Sequence, residues 1–130
     1  AEADVLAPCA IGGIINPRTI PMLRAPIIAG GANNQLDDER RDGETLSQRN
    51  INYAPDYVIN AGGLINVYSE LRGYGREKAM QDAANIFDTV KRVINKAKME
   101  GTTTAMSANR VAEERIAAVH ALKRVWLAKR

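Results

Sequence analysis

Residues 53–71 read YAPDYVINAGGLINVYSEL. An apolar run, Tyr57-Val58-Ile59, leads into Asn60, Ala61 and the pair Gly62-Gly63. Leu64, Val67, Tyr68 and Leu71 then recur in steps of three and four, which predicts a helix with one apolar face. The run before the glycines predicts a buried strand, best placed at Tyr57–Ile59. Two glycines between a strand and a helix let a ligand approach the backbone closely, and the free N–H groups of the helix start point at it. Asn60 offers both a donor and an acceptor there, which suits an amide or carboxylate partner; the plainer reading is that it caps the helix.

Two more strands are expected upstream, at residues 4–8 (DVLAP) and 25–30 (APIIAG). The second shows no alternation, as expected of a strand covered on both faces. Between them Asn16-Pro17 looks like a helix start, bracketed by Pro21 and Pro26. Residues 31–44 read as a solvated loop, followed by a short helix around Glu44–Arg49. Connections this long imply parallel pairing with right-handed crossovers. Downstream, Gly73 and Gly75 end the first helix. A second runs from Arg76 to Lys98 on the stripe Ala79, Ala83, Ile86, Phe87, Val90, Ile94 and Ala97. Gly101 breaks it, and a last helix covers 107–129, with Ser107 as cap, Ala108, Val111, Ala112, Ile116, Val119, Leu122 and Trp126 on one face, and Lys129 and Arg130 at its negative end. The fold class is α/β: about three parallel strands, half of a doubly wound sheet, followed by C-terminal helices. The division falls into a half-sheet at 1–75 and the helices packing on it at 76–130.

Size and composition bound the function. The chain has 130 residues, 45% hydrophobic and 25% charged, so it is neither disordered nor collagen-like. No run reaches the length of a membrane span, and neither a membrane partner nor a signal peptide is expected; the location read from this is cytoplasmic. One cysteine and one histidine form neither a disulfide nor a zinc cage. The net charge of +3 is mild. The cations between 91 and 98 read as a solvated face with no interleaved aromatic residue, so nucleic acid is not an expected partner. The chain begins almost directly in a strand and reads as a piece of something larger.

Doubly wound sheets bind ligands outside the carboxyl ends of their strands. Three places qualify: Pro8 to Ile11, Gly30 to Asn34, and Asn60 to Gly63. Cys9 has no nearby base, since His120 reads as a surface residue of the last helix, and it is expected to be a small buried group or a backbone contact. Asp56 either acts as a base or satisfies backbone groups at a strand start. There is no GxGxxG after a strand, no GxxxxGK[ST] and no lysine at a strand end.

DVLAPCAIGGIIN (4–16), IIAGGANNQL (27–36) and NYAPDYVINAGGLINVYSEL (52–71), in this order and at these intervals, closely resemble the cofactor domain of the amino-acid dehydrogenases acting on glutamate, leucine, phenylalanine and valine. The likeness is nearest to the leucine and phenylalanine branch. It implies the later part of a Rossmann-type domain carrying NAD, with hydride passing from the amino acid's α-carbon to the nicotinamide and the imino acid hydrolysed to a 2-oxo acid and ammonium. It implies Cys9, Ala10 and Ile11 beside the nicotinamide, and Gly31, Ala32, Asn33 and Asn34 along its ribose, with an Asn near the substrate. Asn60 is then at the nicotinamide side of the cleft, and Leu64 and Val67 wall the substrate side chain. The family's glycine fingerprint, its acidic residue for the adenosine ribose, and its two lysines and aspartate have no counterpart in this sequence. The expectation is therefore a partial NAD site, no catalytic residue and no activity of these residues alone, in a parent that is a homo-oligomer acting on an apolar amino acid. A glycine fingerprint is expected upstream of Ala1. The rival reading is a non-catalytic oligomerisation or scaffold module that pairs through an open sheet edge.

Overall fold

The computed structural model describes residues 2–71, 73 and 75–127, with side chains described through Leu122. Three short parallel strands, β1 (Val5–Leu6), β2 (Ile27–Ile28) and β3 (Asn52–Tyr53), lie side by side in chain order. Val5 stands opposite Ile27, and Ile27 opposite Asn52; Leu6 pairs with Ile28, and Ile28 with Tyr53. Successive side chains of a strand point to opposite faces, so the register sorts the sheet into two rows. The row Leu6, Ile28, Tyr53 faces the core, where Ile15, Ile20, Leu46, Ile51 and Ala105 join it. The row Val5, Ile27, Asn52 stays outside, with Val5 47% and Ile27 40% exposed. The expectation that β2 is covered on both faces is thus corrected. An unbroken apolar run does not distinguish one packed face from two.

The third strand lies earlier than Tyr57–Ile59. Asn52 and Tyr53 form β3, and Asp56–Ile59 is the short helix α2. Pro55 is preset for a helix entry with φ −56, and the Asp56 carboxylate accepts from the N–H of Tyr57 at 2.7 Å. That Pro-Asp start outweighs the strand preference of Tyr-Val-Ile. The helix expected at Asn16-Pro17 is a turn followed by one 3₁₀ turn at Ile20–Met22. Asn16 does act as its local organiser, its side-chain oxygen accepting from Arg18 and Thr19 N–H groups.

The stretch expected as loop is mostly helix: α1 spans Glu39–Gln48. Asp38 accepts from the Arg41 N–H at 2.7 Å, while the buried Asp42 carboxylate accepts from the Asp38 N–H at 2.8 Å. Asp38 caps the first turn through Arg41 while Asp42 reaches back to the Asp38 N–H, a variant of the capping box. Arg41 adds a hydrogen bond from Nε to Asp42 at 2.8 Å. Burial opposes ionisation of Asp42, but Arg41 and the backbone donors win and hold its carboxyl below the usual range.

Helix α3 (Gly62–Leu71) has no buried residue. Helix α4 runs Arg76–Glu100 and ends at Gly101, whose left-handed φ of 62 suits glycine. Its buried residues are Ala79, Val93 and Ala97, with Ala83, Ile86 and Val90 half-buried between the first two. Phe87, expected in that stripe, is 72% exposed. The sequence steps 79, 83, 86, 90, 93, 97 alternate four and three, and Phe87 falls one position off them.

Helix α5 (Thr104–Leu127) starts before Ser107. Thr103 is its cap, accepting from the Met106 N–H through its hydroxyl at 3.2 Å. Ser107 is buried within the helix. Ala108 and Val111 pack with Val58 and Val93, so α2, α4 and α5 share a second small core. Ala112, Ile116, Val119 and Leu122 are exposed, which corrects the expected face beyond Val111. The side chain of Trp126, and Lys129 and Arg130 altogether, lie outside the described residues. Helix α5 also touches α1 and β3. Among the described residues no helix is long and apolar enough to cross a membrane.

Candidate functional site

The carboxyl ends of β1 and β2 are pressed together. A Cβ on Gly30 would lie 2.2 Å from the Pro8 carbonyl oxygen, so only glycine permits this approach. The Ala32 N–H donates to that same oxygen at 2.9 Å. Further on, Gly13 donates to the Asn34 carbonyl at 2.7 Å and Ile15 to that of Gln35 at 3.0 Å. The loop after β1 is thereby zipped to the turn after β2. Asn34 adopts a φ of 51, a conformation asparagine tolerates better than most residues.

On this base four of the expected site residues come together. The Gly31 N–H donates to Cys9 Sγ at 3.5 Å. Asn60 Nδ2 donates to Asn33 Oδ1 at 2.5 Å and reaches the Gly31 carbonyl at 3.5 Å. Asn60 is thus turned across the sheet end to the β2 turn, a tie between two loops. Its own N–H closes α2 on Asp56. Cys9 is exposed, so the buried reading fails, while its backbone contact with Gly31 holds. Ala10 and Ile11 are exposed beside it, Ile11 by 71%. Ala32 is buried, with its N–H already engaged by Pro8. The far side of this cluster is open: a Cβ on Gly62 or Gly63 would meet nothing within 4 Å, and one on Gly31 only Cys9 Sγ at 4.0 Å. Leu64 and Val67, 74% and 53% exposed, stand one turn apart on α3, flanked by Tyr68 and Leu71.

Asp56 serves backbone groups, but at a helix start. Its carboxylate accepts from Tyr57 and, at 3.3 Å, from the Gln35 N–H. A cavity of about 160 Å³ opens beside it, with Gln35, Glu39, Tyr53, Tyr57 and Asn109 in its wall. The Tyr57 hydroxyl donates to Asn109 Oδ1 at 2.7 Å, and Asn109 Nδ2 to Glu39 at 2.9 Å. Burial pushes the Tyr57 phenol up to about 12, helped by Glu39 and Asp56. Burial likewise raises Tyr53, so both phenols stay protonated near neutral pH.

Gln35, fully buried, is the residue that sequence reasoning passed over. Its amide nitrogen donates to the Gly30 carbonyl at 2.7 Å and to that of Ala32 at 2.9 Å. A lone glutamine after two asparagines looks like loop polarity, so only the fold exposes its role. His120 is exposed on α5, as expected. A larger cavity, about 680 Å³, lies along α4 and α5. Three charges of its wall are paired: Lys96 bridges Glu100 at 2.9 Å and Glu114 at 2.8 Å, and Arg110 beside it meets Glu100 at 2.5 Å. Among the described residues no group of three or more His, Cys, Asp or Glu could hold a metal ion.

Known proteins resemble this arrangement over its whole extent. The family model described as Glutamate/Leucine/Phenylalanine/Valine dehydrogenase matches residues 1–130. L-tryptophan dehydrogenase of Nostoc punctiforme is 54% identical over 115 residues, which cover 88% of this chain and 33% of that protein. Leucine dehydrogenase of Bacillus cereus is 49% identical over 126 residues, 97% of this chain and 34% of that protein. The crystal structure of L-tryptophan dehydrogenase from Nostoc punctiforme superposes with a TM-score of 0.88 at 52% identity, covering 91% of this chain and 36% of that one. The chain spans about a third of the length of the curated relatives it matches.

Proposed function

The chain belongs to the glutamate/leucine/phenylalanine/valine dehydrogenase family, and from that premise we propose that it forms the nicotinamide side of an NAD-dependent amino-acid dehydrogenase. The reaction is the reversible oxidative deamination of an apolar L-amino acid. Amino acid, NAD⁺ and water give 2-oxo acid, ammonium, NADH and a proton. The cofactor supplies the acceptor for the hydride leaving the α-carbon. The observation that carries the reading is the Asn33–Asn60 amide bridge at 2.5 Å, set against the open backbone of Gly31, Gly62 and Gly63.

That surface fits the group. The glycines leave the backbone approachable, and the amides of Asn33 and Asn60, held by one another, present fixed donors and acceptors at its rim. Cys9, Ala10 and Ile11 would hold one side of the nicotinamide, and Gly31, Ala32, Asn33 and Asn34 its ribose, with Ala32 acting from within the turn. Asn33 or Asn34 and the exposed pair Leu64 and Val67 would face the substrate, the latter through its apolar side chain. Proton transfer and the adenosine half need groups that this sequence does not carry, so hydride transfer requires protein beyond these 130 residues. The working enzyme is a homo-oligomer in the cytoplasm, where Cys9 stays reduced.

The test is coenzyme reduction by the full-length protein with leucine, valine, phenylalanine and tryptophan, and coenzyme oxidation with the matching 2-oxo acids plus ammonium. Turnover with at least one apolar amino acid, in both directions, is expected. No turnover with any of them, from a folded protein, refutes the reading. The 130-residue chain assayed alone is expected to be inactive.

A further inference from the structure

We propose that Gln35 is a positioning residue for the nicotinamide site, acting through the Gly30–Ala32 turn; this rests on the function proposed above. One amide nitrogen, fully buried, grips the carbonyls on both sides of Gly31, at 2.7 Å to Gly30 and 2.9 Å to Ala32. Gly31 is the residue whose N–H meets Cys9 and whose carbonyl meets Asn60. The Gly30 carbonyl shares a rigid peptide plane with the Gly31 N–H, so gripping it orients that N–H; the plane of the Gly31 carbonyl is held by the Ala32 N–H on Pro8 and bounded on its far side by the gripped Ala32 carbonyl. The Gln35 N–H, held by Asp56 at 3.3 Å, ties the same turn to the start of α2, which carries Asn60 at its other end. Gln35 therefore links, from beneath, every loop that contributes to the amide bridge.

The amide serves two backbone carbonyls that an apolar residue of the same size would leave without this donor, while its own Oε1 stays buried with no protein partner. The two donors of one nitrogen give the turn a fixed shape that no apolar residue provides.

The experiment uses the full-length protein with Gln35→Met, which keeps the length and removes both donors, and Gln35→Glu, which keeps the shape. Dissociation constants are measured for NADH and for ADP, which lacks both the nicotinamide and its ribose, alongside thermal midpoints and steady-state kinetics. Gln35→Met is expected to weaken NADH by about tenfold or more while ADP changes less than about twofold. Gln35→Glu is expected to recover NADH affinity as pH falls, because a protonated buried carboxyl regains one donor. NADH and ADP weakening together, or neither changing, overturns the positioning role. If Gln35→Met does not fold, a Gln35→Glu protein with pH-independent NADH affinity overturns it equally. A wild-type protein that binds neither compound overturns the function proposed above, and this inference with it.

Discussion

Gly30→Ala is the sharpest test of the packed sheet end. An added Cβ would sit 2.2 Å from the Pro8 carbonyl oxygen, 2.4 Å from its nitrogen and 2.6 Å from its Cδ. All three atoms belong to backbone or to a rigid ring, and Pro8 is buried, so no side-chain rotation relieves the clash. The two loops have to part by roughly 1 Å to restore ordinary contact. Two backbone hydrogen bonds flank the contact across that seam, Ala29 N–H to Leu6 and Ala32 N–H to Pro8. At about 1 kcal/mol each their loss amounts to about 2 kcal/mol, within the usual overpacking cost. Gly31→Ala is the control, since its Cβ would meet only Cys9 Sγ at 4.0 Å. Its cost is expected within about 0.5 kcal/mol. Urea unfolding by circular dichroism separates the two variants through their midpoints. A Gly30→Ala protein within about 1 kcal/mol of Gly31→Ala refutes the reasoning.

Three further outcomes are expected. Asp42→Asn loses the charge that the Arg41 side chain and the Asp38 N–H both engage, at a cost of about 2 kcal/mol in urea unfolding. Because the Asp42 pKa is lowered on folding, its contribution is complete above the unfolded value near 3.8 and fades as pH falls below it; the variant's midpoint should lack that part of the acid loss. Leu46→Ala empties part of the core beneath the sheet and should cost about 3 kcal/mol by the same measurement. Asn60→Ala breaks an exposed bridge, so stability should move by less than about 1 kcal/mol while NADH affinity of the full-length protein falls several-fold; unchanged affinity by titration counts against a role for the bridge.

What the sequence revealed, and what it hid, divides along physical lines. Parallel strands, the order of elements and the long C-terminal helices follow from run lengths and periodicity, and all are present. Boundaries were lost where two local signals compete. Tyr57-Val58-Ile59 has the side chains of a strand but follows Pro55-Asp56, and the backbone entry decides. Asp38 to Asp42 has loop-like polarity, yet Asp38 caps the Arg41 N–H and Asp42 the Asp38 N–H, which starts a helix. Phe87 is apolar but one residue off the buried register, and Ser107 is a good cap that lies three positions inside the helix it was assigned to start. The site behaves similarly. Gly31, Asn33 and Asn60 were recognisable because glycine and amide residues at strand ends point to ligands. Their mutual contact depends on residues 27 and 29 positions apart being brought together, and the glutamine beneath, although it grips carbonyls only three and five positions back, is buried and tied to Asp56 by the fold, which no local pattern encodes.

The backward reach of α5 also bears on how the protein is made. Ala105 completes the core under the sheet, and Ala108 and Val111 complete the one around Val58. A chain emerging from the ribosome can pair β1, β2 and β3 early, but the first core does not close until Ala105, nor the second until Val111, is free to fold back. Until then Ile28, Leu46 and Val58 lack part of their cover, during the interval in which such surfaces aggregate or recruit chaperones. The stretch from Arg76 to Gly101, which has to be synthesised between the sheet and its cover, sets how long that window lasts.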